Sequence, residues 1–131
     1  MIDTGKNAQA CDELFRHLTR AMRRGGVNIG GTPGYPRAEI STVNEQAPLD
    51  KGGSVRQVAV TIDSMSSRSL GEAMGISQAS LDRIRDAEDV TEHFRILGVT
   101  ESTASTMEDM SDTQAVLYRV INNLTFYLSE K

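Results

Sequence analysis

Few residues in this chain could carry bond-making chemistry, and their spacing decides whether they do. The two histidines, His17 and His93, lack a second ligand at local spacing, such as His-x-x-x-His would supply. Both read as surface histidines. Cys11, the single cysteine, falls on the apolar side of a helical pattern with no polarising base in view, so it reads as buried packing. It can make no internal disulfide, which suits a reducing compartment. The glycine pairs 25–26 and 30–31 follow a helix and fit neither Gly-x-Gly-x-x-Gly nor Gly-x-x-x-x-Gly-Lys-Ser/Thr, so they are turn residues. Glu108, Asp109 and Asp112 lie in a stretch rich in Ser and Thr that offers a carboxylate little burial. Met107 and Met110 interrupt the ligand order a calcium loop requires. Methionines in a polar segment suit an adaptable interface, and these two are candidate contact residues. The expectation is a non-enzyme with no cofactor and no metal.

Composition agrees with that expectation. Among 131 residues, 14 Lys+Arg against 18 Asp+Glu leave a formal charge of −4, and aromatics make up only 5%, with no Trp. A dedicated nucleic-acid binder would show a basic face or stacking rings, so that class is disfavoured. No stretch approaches the roughly 18–20 apolar residues of a membrane span. The opening Met-Ile-Asp-Thr-Gly-Lys does not read as a secretory signal.

Hydrophobic periodicity divides the chain into six elements. Cys11, Leu14, Phe15, Leu18, Ala21 and Met22 recur at helical spacing over 7–24, and Gly25-Gly26 stop the helix. Five glycines and two prolines within 25–36 mark a connector with a short extended piece at 27–29. Pro36 keeps Tyr35 out of helical space and leads into a strand over 37–43. A polar loop over 44–53 follows, holding Glu45, Leu49, Asp50 and Lys51 as candidate contact residues. It is long for a hairpin, which points to a protruding or functional role. Alternation of Val58, Val60 and Ile62 with Gln57, Ala59, Thr61 and Asp63 predicts a second strand over 55–64.

Ser66 to Ser69 supply caps for a helix over 69–87, with Leu70, Ala73, Met74, Ser77, Leu81 and Ile84 on its inner face. A third strand is expected over 93–100 and a loop over 101–113. For 114–128 a helical stripe (Leu117, Val120, Ile121, Leu124, Leu128) competes with a strand face (Tyr118, Val120, Leu124, Phe126, Leu128). The β-branched and aromatic content favours the strand. The order α-β-β-α-β-β implies one α+β domain over 1–131, a mostly antiparallel four-stranded sheet with both helices on one face.

With its elements in order the chain resembles the tail-terminator (tail-completion) family of long-tailed bacteriophages. The resemblance is carried by the lead-in Gly34-Tyr35-Pro36-Arg37-Ala38-Glu39-Ile40 and the strand Arg56-Gln57-Val58-Ala59-Val60-Thr61-Ile62-Asp63-Ser64. The helix with Glu72-Ala73 and the acidic stretch before a long final strand complete it. The glycine-rich connector departs from the family's pattern, as does Asn122-Asn123, which marks a place for a bulge. What the resemblance implies is a virion structural protein of the tail–neck junction, assembled in the bacterial cytoplasm. It would form a ring, expected to be a hexamer, that caps the tail tube, ends its polymerisation and joins the head connector. The implied partners are further copies of the chain, the tail-tube protein and a neck protein, with DNA passing through the lumen without specific binding. Six copies at −4 each would carry −24, which suits a passage that must not grip phosphates. The other readings are another ring-forming neck protein (head-completion or stopper) and a small dimeric α+β ligand-binding domain.

Overall fold

A computed structural model describes residues 4–29, 35–46, 55–110 and 115–131, with side chains over 9–29, 35–46, 55–105 and 116–131. Six elements follow in order: α1 (Thr4–Arg24), β1 (Arg37–Gln46), β2 (Arg56–Ser66), α2 (Leu70–Asp86), β3 (Phe94–Met110) and β4 (Ala115–Glu130). All strand pairs are antiparallel and the sheet order is β1-β2-β4-β3. The fold is α+β, as the periodicity predicts.

Both helices cover one face of the sheet. Leu14, Leu18 and Met22 from α1, with Leu81 and Ile84 from α2, pack on Val58, Val60 and Ile62 of β2 and Leu124, Phe126 and Leu128 of β4. Each such side chain contributes about 1.5–3 kcal/mol when fully buried. The β2–β4 register sets Val58 against Phe126 and Val60 against Leu124, so alternation carries both apolar sets to the same side.

Local chemistry ends the helices where turn residues stand. At the end of α1, Gly26 has φ +80°, the Gly26 N–H donates to the Arg23 carbonyl at 3.0 Å, and the Val27 N–H donates to Met22 at 3.1 Å. This paired closure needs a residue tolerant of positive φ. At the start of α2, the Ser69 hydroxyl accepts the Glu72 N–H at 3.0 Å. The buried Ser66 hydroxyl accepts the N–H groups of Arg68 and Ser69 and donates to the Glu72 carboxylate at 2.6 Å. Orphan donors at the helix start are thereby satisfied.

Several sequence expectations change. β3 runs on to Met110, so the loop expected over 101–113 is strand over 101–110, paired residue for residue with β4. Its Ser, Thr and acidic residues suggested a loop, but an outer strand exposed over 101–105 needs no apolar face there. β1 likewise continues to Gln46, three residues beyond the expected end. Met74 is 55% exposed, because the buried stripe of α2 runs through Ala73, Ser77, Ser80, Leu81 and Ile84. Phe15 is 42% exposed for the same reason on α1, where the inner stripe is Ala10, Leu14, Leu18 and Met22. Cys11 is half-buried rather than buried.

Asn122 marks no bulge. Its register is continuous on both sides, and the irregularities fall instead between Ile40 and Thr42 in β1 and between Ile96 and Gly98 in β3. Asn122 is buried between Ser77 of α2, whose hydroxyl donates to its Oδ1 at 2.7 Å, and Thr103 of β3, whose hydroxyl accepts from its Nδ2 at 2.9 Å.

Candidate interaction surfaces

The outer ends of the sheet are its most distinctive surfaces. At one end, β3 and β4 form a hairpin that outruns its neighbour: β2 stops at Ser66 opposite Tyr118, whereas β3 and β4 stay paired out to Met110 and Ala115. The three further β4 residues carry it about 10 Å past β2, at ~3.4 Å per residue. The root of β3 is firmly held. Phe94 is buried, and the Glu13 carboxylate of α1 accepts the His93 N–H at 2.8 Å and the Thr91 hydroxyl at 2.9 Å. His93 Nδ1 lies 2.8 Å from the other Glu13 oxygen. Burial alone would raise the Glu13 carboxyl, but these hydrogen bonds outweigh it and hold the group below its ordinary value. Farther out, Arg85 of α2 grips Glu101 with two N–H groups at 3.2 and 2.8 Å.

At the other end, α1 and β1 enclose a groove of about 750 Å³. Phe15, Ile29 and Ile40 supply its apolar lining. Four arginines, Arg16, Arg20, Arg23 and Arg37, stand around it against two carboxylates, Glu39 and Glu92. Arg37 pairs with Glu39, and Arg16 pairs with Asp12 at 2.7 Å. Arg20 and Arg23 bond only backbone carbonyls, of Arg16 and Ile29, and meet no carboxylate among the described residues. Among the described residues, Arg20 and Arg23 therefore give the groove positive charge that no carboxylate pairs, on a chain of negative balance.

The sequence-predicted contact residues divide accordingly. Glu45 lies in β1 rather than a loop, opposite Val58, and its carboxylate binds Arg56 at 2.8 Å. The Arg56 guanidinium also reaches Glu130 at 3.5 Å and stands 6.0 Å from the centre of the Phe94 ring. Leu49, Asp50 and Lys51 lie outside the described residues. Met107 and Met110 belong to β3, opposite Tyr118 and Ala115. Burial first, and Glu45 second, push the Cys11 thiol up, the opposite of what a nucleophilic thiol needs. His17 bonds the Glu88 carbonyl at 2.9 Å. Among the described residues no group of three or more His, Cys, Asp or Glu is arranged to hold a metal ion.

Sequence reasoning missed two features. The arginine groove was hidden because α1's arginines lie off its apolar stripe, where charged residues at helical spacing are ordinary for a solvated face. The one available signal was Phe15, a large apolar residue flanking the inner stripe. The second is the Asp63–Arg119 pair on the sheet face away from the helices, where Asp63 is buried and Arg119 Nε donates to it at 3.2 Å. Alternation assigns Asp63 to a solvated face and gives no hint of the pairing.

No family model matches the chain, and no curated protein matches it in sequence. Among solved structures it is similar to a chain in the virion of a native gene transfer agent particle, with a TM-score of 0.60 at 14% identity. The likeness spans 92% of this chain and 96% of that one, so it is a likeness of the whole fold.

Proposed function

We propose that this chain is a structural protein of a phage-like virion. In this reading it forms a ring, a hexamer, at the tail–neck junction. The ring caps the tail tube, ends its polymerisation and joins it to the head connector, while DNA passes through the lumen. The observation that carries the reading is the end-to-end fold likeness to a chain of a gene transfer agent virion. Two features of the chain support it. The sheet has two different outer strands, so copies can meet head to tail, the geometry from which rings close. The net charge of −4 per copy suits a passage for DNA. Leu49, Asp50 and Lys51 between β1 and β2, with Met107 and Met110 near the hairpin tip, are the proposed contacts to tube, neck or neighbouring copy.

Electron microscopy of the purified protein, alone and mixed with tail tubes, tests the reading. The expected result is six-fold rings seated on tube ends and tubes that stop growing. Rings that bind only the head connector would point to the head-completion or stopper role. A particle of two copies with no affinity for tubes or connectors would overturn the reading in favour of a dimeric ligand-binding domain.

A further inference from the structure

The groove between α1 and β1 has the volume of a ligand site, about 750 Å³, and its two sides differ. On the α1 side, Arg20 and Arg23 stand three residues apart, so their side chains are neighbours on the helix surface. Neither meets a carboxylate among the described residues: Arg20 bonds the Arg16 carbonyl and Arg23 the Ile29 carbonyl. On the β1 side, Arg37 is already paired with Glu39, and Ile40 supplies apolar surface. Phe15 of α1 adds a ring that is 42% exposed. Two lining residues also hold buried polar atoms with no hydrogen-bond partner among the described residues, Thr19 Oγ1 and Arg37 Nε. Folded proteins leave few such groups unmet, and these two belong to the lining of one groove.

We propose that this groove docks an acidic segment of a partner protein, an extended stretch in which acidic and apolar residues alternate. Its carboxylates pair with Arg20 and Arg23, and its apolar side chains fill the space lined by Phe15 and Ile40. The spacing agrees. Side chains two apart on an extended chain lie about 6.5 Å apart on one face, close to the ~5–6 Å between Cβ atoms three apart on a helix. A guanidinium takes a carboxylate through two parallel hydrogen bonds, which fixes register as well as strength. Duplex DNA suits the surface less well. Its phosphates offer nothing to the apolar lining, and Glu92, from the segment before β3, also lines the groove and opposes a continuous run of negative charge. A short peptide brings its two acids to the arginines alone. The inference goes beyond the ring reading and does not depend on it, because the groove is formed within one copy of the chain.

Fluorescence anisotropy with the full-length protein and a labelled peptide, Gly-Glu-Leu-Glu-Leu-Gly, tests this. Wild type should bind the peptide, and more weakly as salt rises. Replacing both glutamates of the peptide by glutamine should weaken binding by about tenfold or more, and so should Arg20→Gln/Arg23→Gln in the protein. The two changes together should add little to either alone, since they remove the same contacts. Phe15→Ala should weaken binding of the leucine peptide and leave a counterpart with glycine for both leucines unaffected. Far-UV circular dichroism melting confirms that each variant is folded. No binding by wild type at millimolar peptide, or equal binding by the arginine variant, would overturn the proposal. So would a duplex DNA fragment that displaces the peptide and is retained only with both arginines in place, which would make the groove a nucleic-acid site. Self-association of wild type without peptide, lost in Arg20→Gln/Arg23→Gln by sedimentation velocity, would make it an interface between copies instead. Rings on tube ends are read separately by microscopy, so failure of the ring reading and failure of the docking proposal are distinct results.

Discussion

The two outer strands of this sheet solve the same problem differently. β1 is short, and beyond Ala38, whose N–H donates to the Asn28 carbonyl at 2.8 Å, it is broken by the irregularity at Ser41. Three of its residues are locked in ion pairs, Arg37 with Glu39 and Glu45 with Arg56 of β2. β3 is covered only at its root, where the Ile96 N–H donates to Asp89 and the Thr91 N–H donates to Phe94. Past the irregularity at Leu97, which is 54% exposed, β3 runs regularly to Met110 with no outer backbone partner among the described residues. Exposed edges of that length are templates for pairing, and bulges and charges are the usual means of blunting them. One edge is blunted and the other is left open. That asymmetry is what a head-to-tail assembly needs.

If the open edge depends on a rigid root, the largest effect comes from removing the root's anchor. Phe94→Ala should cost about 3–5 kcal/mol in urea unfolding, through lost burial and the cavity it leaves. A cost below 1 kcal/mol would mean that β3 is held elsewhere. Glu13→Gln should cost about 1–3 kcal/mol, since donors from Thr91 and His93 lose a charged acceptor. Its pH dependence has a defined sign. The folded-state value of Glu13 is lowered, so its stabilisation is present above the ordinary carboxylate range and fades as pH falls through the lowered value. Unfolding midpoints of wild type and Glu13→Gln should therefore differ at pH 7 and converge in acid.

The root of β1 should matter less. Asn28→Ala removes the side-chain bond to the Pro36 carbonyl, at 3.2 Å, and should cost about 1 kcal/mol in the same assay. A cost equal to that at Phe94 would erase the distinction between the edges. The smallest effect on stability, within about 0.5 kcal/mol, is expected from a single lysine on either strand, Thr42→Lys in β1 or Ser102→Lys in β3. Assembly should separate the two. Ring formation measured by sedimentation should fall with Ser102→Lys and stay unchanged with Thr42→Lys. Equal losses would show that the edges are equivalent.

Much of this architecture was legible before any coordinates. The alternation at Val58, Val60 and Ile62 specified β2 and its buried face, and the spacing of Leu14 and Leu18 specified α1, because burial on one side leaves a period in the chain. Residues 101–110 were not legible as strand, since the exposed residues 101–105 need no apolar face and small polar residues mimic a loop. The inner stripe of α2 was read correctly through Ala73, Ser77, Leu81 and Ile84, but Met74 was counted in it and Ser80 was not, because a buried serine whose hydroxyl is satisfied by the Ile76 carbonyl leaves no apolar signal. The groove was out of reach because it forms between α1 and β1, elements separated by the connector. Only their packing brings Arg20, Arg23 and Arg37 around one space.

Asn122 carries a consequence for the whole hairpin. A slip of β4 by one residue would turn its amide to the opposite face and strand the Ser77 hydroxyl in an apolar layer. A slip of two would bring Val120 or Leu124 to Ser77, with the same loss. One buried amide thus indexes two long strands against each other, as a detent fixes a sliding rule. The distance by which the hairpin overhangs β2 is set at a point far from its tip. A change at Asn122 would alter the reach of the arm without substituting any residue of its outer end.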